Sequence, residues 1–372
     1  MIKLSAPGKL CIAGEWAVLE KGSPMIVVAI EKRVFAKIKK SKDKHIYISI
    51  RDFKIKKLKT LFVDNKLSFE KKLNKKEKKD ILFIKTAIES ALSYLNEVGF
   101  FKIETWGEKT TLTRTKQVKK IGFGTSAASV VATIAVIFKF YGKSIKTKTS
   151  KEKIYKLATI SHYLAQGKVG SGFDIAASTF GGLFVYKRFD PKWLKDQFKK
   201  GKNIKEIVDR KWPAFYFKTI KQPKGFNLLV GWTQKSSSTS KMVKDLYEWK
   251  KENKIEYRKI INLIKKLVKK LIIAFQTNNK EKIISLIRKN EEYLREFGDK
   301  SGVNIETKTL ALLSRIVNEN GGAGKLSGAG GGDCGIAIVF DKKKIKKIKK
   351  EWKKNKIYFI ETRISKEGIK EY

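Results

Sequence analysis

Cysteine is scarce in this sequence, and its scarcity excludes a disulfide scaffold. The 372 residues contain two cysteines, Cys11 and Cys334, which lie far apart along the chain. Small secreted domains that depend on disulfides carry more cysteines at closer spacings. We therefore expect a protein of a reducing compartment, and predict the cytoplasm.

Long apolar runs are also lacking. The longest, near residues 130–138, is much shorter than the roughly 20 residues that a membrane-spanning helix needs. Residues 1–19 contain no uninterrupted apolar segment followed by a small-residue cleavage site, so we predict no signal peptide. We expect no membrane partner.

Acidic residues are few compared with basic ones. Aspartate and glutamate number 36 against 84 lysines and arginines, and the formal net charge is +48. Such an excess can serve nucleic-acid or membrane-surface binding. The lysines, however, are scattered through nearly every segment, so we interpret most of them as solvated surface side chains. We predict no specific nucleic-acid partner, and expect the positive field to attract anionic substrates.

The sequence does contain enough apolar residues, 42%, to build packed cores, and its length favours two domains. Residues 187–225 hold three of the five prolines and look irregular, so we place the domain junction there. Alternation and helical periodicity predict the elements. Strands are predicted at 25–30, 34–38, 45–50, 55–63, 181–186, 226–232 and 335–340, and helices at 80–96, 126–141, 153–166, 241–275, 279–297, 306–319 and 342–354.

A glycine-rich stretch, residues 122–126, precedes the most apolar predicted helix and is named the phosphate loop below. Glycine lets an anion approach the backbone closely, and a helix N-terminus offers free amides to it. Thr125 and Ser126 add hydroxyls that suit phosphate or magnesium. A glycine turn before a capped core helix would give the same pattern. Lys120, just upstream, is either a further phosphate contact or a solvated surface lysine.

Three more segments combine glycine with polar residues. Residues 327–332, named the third-motif loop, lie directly before an apolar strand, and we favour ligand contact over a flexible linker. Asp174 stands among glycines within residues 170–178, a pattern that a turn also explains. Lys9 and Glu15 flank the glycines of residues 5–15, which suits an anion site or two simple turns.

Together, and in this order, the four segments resemble the motifs of the GHMP kinase superfamily. Residues 6–9 with 14–15 match the first motif, residues 122–128 the second and residues 327–332 the third, and Asp174 lies at the position of the catalytic Asp. The resemblance implies an α+β, two-domain GHMP kinase fold. An N-terminal ribosomal-protein-like α/β domain would span residues 1–190, and a C-terminal ferredoxin-like α+β domain residues 191–372.

The resemblance also implies ATP and Mg²⁺ as cofactors and a set of site residues. Lys9 and Asp174 are the predicted catalytic residues, and Ser126 is the predicted magnesium ligand, with Thr125 second. The predicted ATP-binding residues are Gly122, Gly124, Thr125, Ser126, Ala127 and Ala128. The predicted acceptor-binding residues are Lys9, Glu15, Ser171, Gly172, Ser238, Thr239, Gly328, Ala329 and Gly330.

Further stretches resemble the phosphomevalonate kinase branch, among them residues 9–18, 170–178, 231–240 and 330–335. This branch implies phosphorylation of 5-phosphomevalonate to 5-diphosphomevalonate by ATP. The sequence leaves both a monomer and a homodimer open. One departure matters, because Tyr163 stands where mevalonate kinases carry a magnesium-binding Glu.

Three other functions stay open at this point: mevalonate kinase, diphosphomevalonate decarboxylase and a nucleic-acid-binding protein. The last would use the basic helix predicted at 342–354, which equally suits packing through an apolar stripe, the interpretation that we prefer.

Overall fold

The computed structural model describes residues 1–108, 122–165, 170–235 and 239–372. Its strands are β1 Ile2–Ala13, β2 Pro24–Lys40, β3 Ile46–Ile50, β4 Ile55–Val63, β5 Lys66–Phe69, β6 Phe101–Gly107, β7 Leu183–Lys187, β8 Tyr216–Thr219, β9 Asn227–Trp232, β10 Ala323–Leu326, β11 Cys334–Val339, β12 Tyr358–Ile360 and β13 Lys370–Glu371. Its α-helices are α1 Lys75–Leu95, α2 Thr125–Phe140, α3 Lys148–Ala165, α4 Phe173–Phe180, α5 Pro191–Lys199, α6 Ile204–Asp209, α7 Thr239–Glu252, α8 Lys254–Gln276, α9 Lys280–Ser301, α10 Lys308–Glu319 and α11 Lys342–Lys354.

Nine strands form the larger sheet, in the order β13-β1-β2-β6-β3-β4-β5, with β7 and β8 joined to it through β2. Strand β2 was predicted as two strands but is continuous over 17 residues. Its pairing with β1 shifts from Arg33 opposite Pro7 to Ile30 opposite Gly8, so residues 31 and 32 form a bulge. The bulge bends the strand without ending it, and this bend produced the apparent break in the alternation.

Helices α1 to α4 cover one side of this sheet and bury the first hydrophobic core. Helix α2 is apolar on nearly all sides and packs against β1, β2, α1 and α3. Such a helix is stable only when it is enclosed. The enclosure fixes its N-terminus, and therefore the phosphate loop, at the end of the sheet.

The smaller sheet has the order β10-β11-β9-β12 and carries the long helices of the second half. Its core also contains Leu10 and Ile12 of β1 and Ile26 and Val28 of β2. Cys11, Met25 and Val27, which alternate with those residues, lie in the first core. The two faces of this part of the β1–β2 pair therefore pack on the two different cores. This shared pair holds the two sheets together beside the first motif.

The basic helix α11 packs through its apolar stripe, as we preferred from the sequence. Ile348 and Trp352 are fully buried in a small core with residues of α10 and β11. Most lysines of the helix are exposed, whereas Lys349 is half-buried with its ammonium 3.7 Å from the ring centre of Phe359. The packing of this stripe explains the amphipathic pattern of the helix.

The prediction of irregular structure over residues 187–225 is wrong, because α5, α6 and β8 lie there. Leu194, Ile207, Val208 and Trp212 are buried in the first core, beyond the boundary that we placed at residue 190. That boundary stays a prediction. The predicted helix over 241–275 is two helices that meet at Asn253. No helix in the described ranges is long and apolar enough to cross a membrane.

Candidate functional site

A cavity of about 500 Å³ lies between the phosphate loop, the first motif, α4, the start of α7 and the third-motif loop. It brings together most of the predicted site residues, which come from five separate segments of the chain. Those that line it are Lys9, Glu15, Gly122, Gly124, Thr125, Ser126, Ser171, Asp174, Thr239, Gly328 and Ala329.

The phosphate loop is shaped by its glycines and anchored by Phe123. Gly124 precedes α2 with a φ of 73°, a conformation that favours glycine. A Cβ at Gly122 would collide with the carboxylate of Asp333. Phe123 is buried in the second core, so the loop is fixed while its backbone faces the cavity. The first turn of α2 then offers amides without intrahelical partners to an anion.

Lys9 lies at the centre of this arrangement. Its backbone amide donates to the carbonyl of Phe123 at 2.9 Å, and its ammonium donates to the carbonyl of Gly122 at 2.9 Å. The ammonium also lies 5.4 Å from the ring centre of Phe173. Lys9 is thus held against the phosphate loop, where its charge favours the binding of anions.

Asp174 is in the first turn of α4, with its carboxylate accepting from the amide of Ile175 at 2.9 Å. A Cβ at Gly124 would lie 3.5 Å from the Cβ of Asp174 and 3.3 Å from Cε of Lys9. Lys9 and Asp174 therefore flank the same glycine. Among the described residues, Asp174 forms no ion pair with Lys9, whose ammonium is directed to Gly122 instead.

Two buried tyrosines support the segment before Asp174. The hydroxyl of Tyr186 donates to the carbonyl of Ser171 at 2.6 Å, and the hydroxyls of Tyr186 and Tyr155 are 3.0 Å apart. Gly172 has a φ of 80° and lies directly above both hydroxyls. Burial raises the pKa of Tyr155 and of Tyr186, so both remain protonated hydrogen-bonding groups.

Asp333 is a cavity residue that the sequence analysis did not assign. Its carboxylate accepts from the amide of Gly122 at 3.1 Å and so joins the end of the third-motif loop to the phosphate loop. Burial raises the pKa of Asp333, while the Gly122 amide and the charge of Lys9 oppose that rise. Its position directly after the glycine run was the signal available in the sequence.

His162 is a second unassigned cavity residue. Its Nε2 lies 3.2 Å from the hydroxyl of Ser126, and its ring packs against Phe83. Burial lowers the pKa of His162, whereas the charge of Asp174 raises it. A single histidine in a helical pattern gave no sign of this contact, because the pattern does not reveal which helix lies opposite.

Glu15 lies in the wall of the cavity and is almost fully buried. Its Oε1 accepts from the ammonium of Lys325, which is itself fully buried in β10. The pair joins the first motif to the strand that leads into the third-motif loop. Its second carboxylate oxygen, Oε2, has no hydrogen-bond partner among the described residues.

Several predicted residues lie beside the cavity rather than in its wall. Ala127 and Ala128 have their side chains in the first core, and the amide of Ala128 already donates to the carbonyl of Gly124. Gly172 faces the tyrosine pair, and Gly330 packs against the backbone of Ile305. The roles proposed for these four residues stay predictions.

Two predicted contacts, Ser238 and Lys120, lie outside the described residues. Tyr163, which stands where mevalonate kinases carry a magnesium-binding Glu, is buried in the first core and does not line the cavity. Burial raises its pKa, so its phenol stays protonated. A carboxylate for a metal ion would therefore have to come from elsewhere in the site.

Comparison with known proteins agrees with this geometry. The model of the GHMP kinases N terminal domain matches residues 83–182, and that of the GHMP kinases C terminal domain matches residues 271–357. A phosphomevalonate kinase of a Streptomyces species is 28% identical, over 90% of this chain and 88% of its own. A mevalonate kinase of Pyrococcus abyssi is 27% identical, over 100% of this chain and 97% of its own.

Two solved structures share the whole fold. The Lin0012 protein of Listeria innocua has a TM-score of 0.88 and 30% identity, covering 100% of this chain and 99% of its own. Streptococcus pneumoniae phosphomevalonate kinase, in complex with phosphomevalonate and AMPPNP, has a TM-score of 0.80 and 25% identity, covering 98% and 100%. The predicted two-domain fold is thereby confirmed, and the chain belongs to the GHMP kinase family of phosphotransferases.

Proposed function

We propose that the protein transfers the γ-phosphoryl group of ATP to the phosphate of 5-phosphomevalonate, which gives 5-diphosphomevalonate and ADP. The observation that supports this proposal is that Lys9, the phosphate loop and Asp174 line the same cavity. Further apolar and polar side chains complete its wall. The similarity to phosphomevalonate kinases over nearly the full chain supports the choice of acceptor.

ATP binds, in this proposal, with its phosphates on the phosphate loop. The amides at the start of α2 and the ammonium of Lys9 supply positive potential there. The hydroxyls of Thr125 and Ser126 line the same part of the cavity. The absence of side chains at Gly122 and Gly124 lets the phosphates reach the backbone.

The oxygen-bearing side chains of the cavity suit Mg²⁺, which binds through few protein ligands together with substrate phosphates. Ser126 would hold the ion, with Thr125 as the second choice, and Asp174 and Asp333 are the cavity carboxylates available to it. The described residues contain no cluster of three or more acidic, histidine or cysteine side chains that could hold a metal ion. Bound Mg²⁺ supplies charge neutralisation on the transferred phosphoryl group.

The acceptor phosphate attacks the γ-phosphorus through one of its oxygens, and the bond from that phosphorus to the β–γ bridging oxygen breaks, releasing ADP. Two anionic phosphates must approach each other, and Lys9 lowers their repulsion. The acceptor phosphate is already largely anionic near neutral pH, so the reaction does not need a strong base. Asp174 instead orients the acceptor and Lys9 across Gly124.

ADP release from the purified protein with ATP and Mg²⁺ tests the proposal. We expect release with 5-phosphomevalonate and not with mevalonate, 5-diphosphomevalonate or no acceptor. Asp174→Asn should lower kcat by about 100-fold or more with folding unchanged. Wild-type turnover in that variant would reject the role of Asp174. ADP release with 5-diphosphomevalonate alone would instead indicate a decarboxylase.

Mevalonate kinase is the second candidate, because the Pyrococcus abyssi relative matches over the whole chain. The buried Tyr163, at the position where mevalonate kinases carry a magnesium-binding Glu, argues against it. ADP release with mevalonate alone would decide for this second function and leave the ATP site unchanged. Salt-sensitive nucleic-acid binding without acceptor-dependent ADP release would instead favour the charged-surface hypothesis.

A further inference from the structure

The hydroxyl of Ser126 has one hydrogen-bond partner among the described residues, and that partner is His162. The Nε2 atom of His162 lies 3.2 Å from the Oγ atom of Ser126. Ser126 is in the first turn of α2, half-buried in the wall of the cavity. His162 belongs to α3 and is 6% exposed. The contact therefore joins the phosphate loop to a buried side chain of a neighbouring helix.

The imidazole of His162 is held in place by packing and lacks a counter-charge. Its ring lies against that of Phe83, with 5.0 Å between the ring centres. Every histidine ion pair among the described residues belongs to His45 and not to His162. A buried charge without an ion-pair partner is costly, so the neutral imidazole is favoured. A neutral imidazole has one nitrogen that donates a hydrogen bond and one that accepts.

The two possible directions of this hydrogen bond have different consequences for Ser126. If Nε2 carried the imidazole proton, it would donate to Oγ and occupy one of its two lone pairs. The hydroxyl proton would then be left to point into the cavity. If Nε2 is the acceptor, the hydroxyl directs its proton at His162, and both lone pairs of Oγ remain free. Because a cation binds an oxygen through a lone pair, only the second arrangement prepares Oγ for Mg²⁺.

Thr125, the other hydroxyl of the phosphate loop, is not held in this way. It has no hydrogen-bond partner among the described residues. Its hydroxyl is therefore free to rotate, whereas that of Ser126 has one direction fixed by a buried ring. A group that orients a metal ligand typically contributes about 10–100-fold to metal affinity. The contact with His162 thus distinguishes the two candidate ligands.

We infer that His162 is a positioning residue, which accepts the proton of the Ser126 hydroxyl and keeps its oxygen available to the Mg²⁺ of the bound nucleotide. The inference rests on the proposed function for the use of Mg²⁺ and ATP, and does not depend on which acceptor is phosphorylated. It also selects Ser126 over Thr125 as the magnesium ligand. His162 acts through Ser126 and not on the reacting atoms.

The direction of the hydrogen bond can be measured in the metal-free protein. The chain contains only two histidines, so ¹⁵N NMR of the histidine-labelled protein resolves both imidazoles. We expect His162 to be neutral near neutral pH with its proton on Nδ1, and Ser126→Ala should shift the Nε2 resonance because it removes the donor. A proton on Nε2, or on both nitrogens, would overturn the inference.

His45 supplies the control for this measurement. It lies directly before β3, has its Nε2 3.2 Å from the carboxylate of Glu70, and does not line the cavity. His45→Gln removes one of the two sets of imidazole signals and thereby assigns the other. It should leave the resonances of His162 and the affinity for ATP unchanged.

The second experiment measures the dissociation constant of a non-hydrolysable ATP analogue by calorimetry, once with Mg²⁺ and once with EDTA. We expect Mg²⁺ to tighten binding to the wild type. His162→Leu should reduce this gain about tenfold and leave the dissociation constant in EDTA unchanged. His162→Gln should retain most of the gain, because its amide oxygen accepts in place of Nε2. If His162 acts only through Ser126, adding His162→Leu to Ser126→Ala should cause no further loss.

An equal loss of affinity with Mg²⁺ and with EDTA in His162→Leu would indicate a purely structural role and overturn the inference. So would a double variant that binds more weakly than Ser126→Ala, or a wild type whose affinity does not depend on Mg²⁺. The NMR measurement on the wild type decides if His162→Leu does not fold. Failure of the proposed acceptor would be seen separately, as no ADP release with 5-phosphomevalonate, and would leave these binding results standing.

Discussion

Glu15 and Glu306 are two buried carboxylates that differ in their cationic partners. Each leaves one oxygen without a hydrogen-bond partner among the described residues. Glu15 has the buried ammonium of Lys325 as its own partner. Glu306 accepts from Nε of Arg295 at 3.0 Å, but the same guanidinium donates to both oxygens of Glu291 at 2.6 Å.

The difference lies in the ratio of cations to carboxylates. At Glu15 one carboxylate faces one ammonium, that of Lys325. At Glu306 two carboxylates share one cation, and burial together with Glu291 raises the pKa of Glu306 to about 8. A carboxyl group that retains its proton near neutral pH is a weaker acceptor for a ligand. Glu15, and not Glu306, lines the cavity.

The largest expected effect follows from removing the cation of the first pair. Lys325→Met leaves the carboxylate of Glu15 buried without a counter-charge, which typically costs about 3–5 kcal/mol. Equilibrium unfolding in guanidinium should show this loss in the free energy of unfolding. Lys251→Met, at an exposed lysine paired with Glu248, is the control and should change it by less than about 1 kcal/mol. Equal losses in both variants would contradict the comparison.

The second prediction concerns pH. Between the ordinary pKa of 4.5 and about 8, folded Glu306 keeps a proton that the unfolded chain releases. The folded state therefore loses stability as pH rises through this window, by at most about 1.4 kcal/mol per pH unit. Glu306→Gln, which imitates the protonated acid, should reduce this slope. Thermal unfolding from pH 5 to 8 measures it, and an unchanged slope would show that Glu306 binds no extra proton.

The sequence led to most of the site because its motifs combine backbone freedom with charge. Gly122, Gly124 and Ser126 were predicted from glycine and hydroxyl chemistry, and Lys9 and Asp174 from the family resemblance, and all five line one cavity. The positions of Trp16, His162 and Asp333 in the cavity wall were not predicted. Each depends on what lies opposite it in space, which alternation and periodicity do not specify.

Helices and strands were likewise predicted where the signal is local and missed where it depends on contacts between distant residues. Helix α2 was predicted within one residue at each end, because an apolar run after glycines is a strong local signal. The short helices α5 and α6 were missed, since their stability comes from packing Leu194 and Ile207 into the first core. Strand β13 has two residues and exists because it pairs with β1, far away in the sequence.

A third experiment asks whether the Glu15–Lys325 pair serves stability at all. Apolar residues of similar volume often replace a buried ion pair at little cost. The double variant Glu15→Leu with Lys325→Met should therefore unfold within about 1 kcal/mol of the wild type, although it should lose acceptor turnover. A double variant as unstable as Lys325→Met alone would show that the pair is required for folding.

The smallest expected effect comes from removing the charge of Glu291, one of the two carboxylates that share the guanidinium of Arg295. Glu291→Gln leaves Arg295 to Glu306 alone, so the pKa of Glu306 should fall, and the pH-dependent loss of stability between pH 5 and 8 should become shallower. The change should be a few tenths of a kcal/mol per pH unit, because Arg295 is 50% exposed and water screens its charge. Glu319→Gln, at an exposed pair with Arg315, should leave the slope at its wild-type value. A steeper slope in Glu291→Gln would mean that Glu291 and Glu306 do not compete for Arg295, and the contrast with Glu15 would then rest on burial alone.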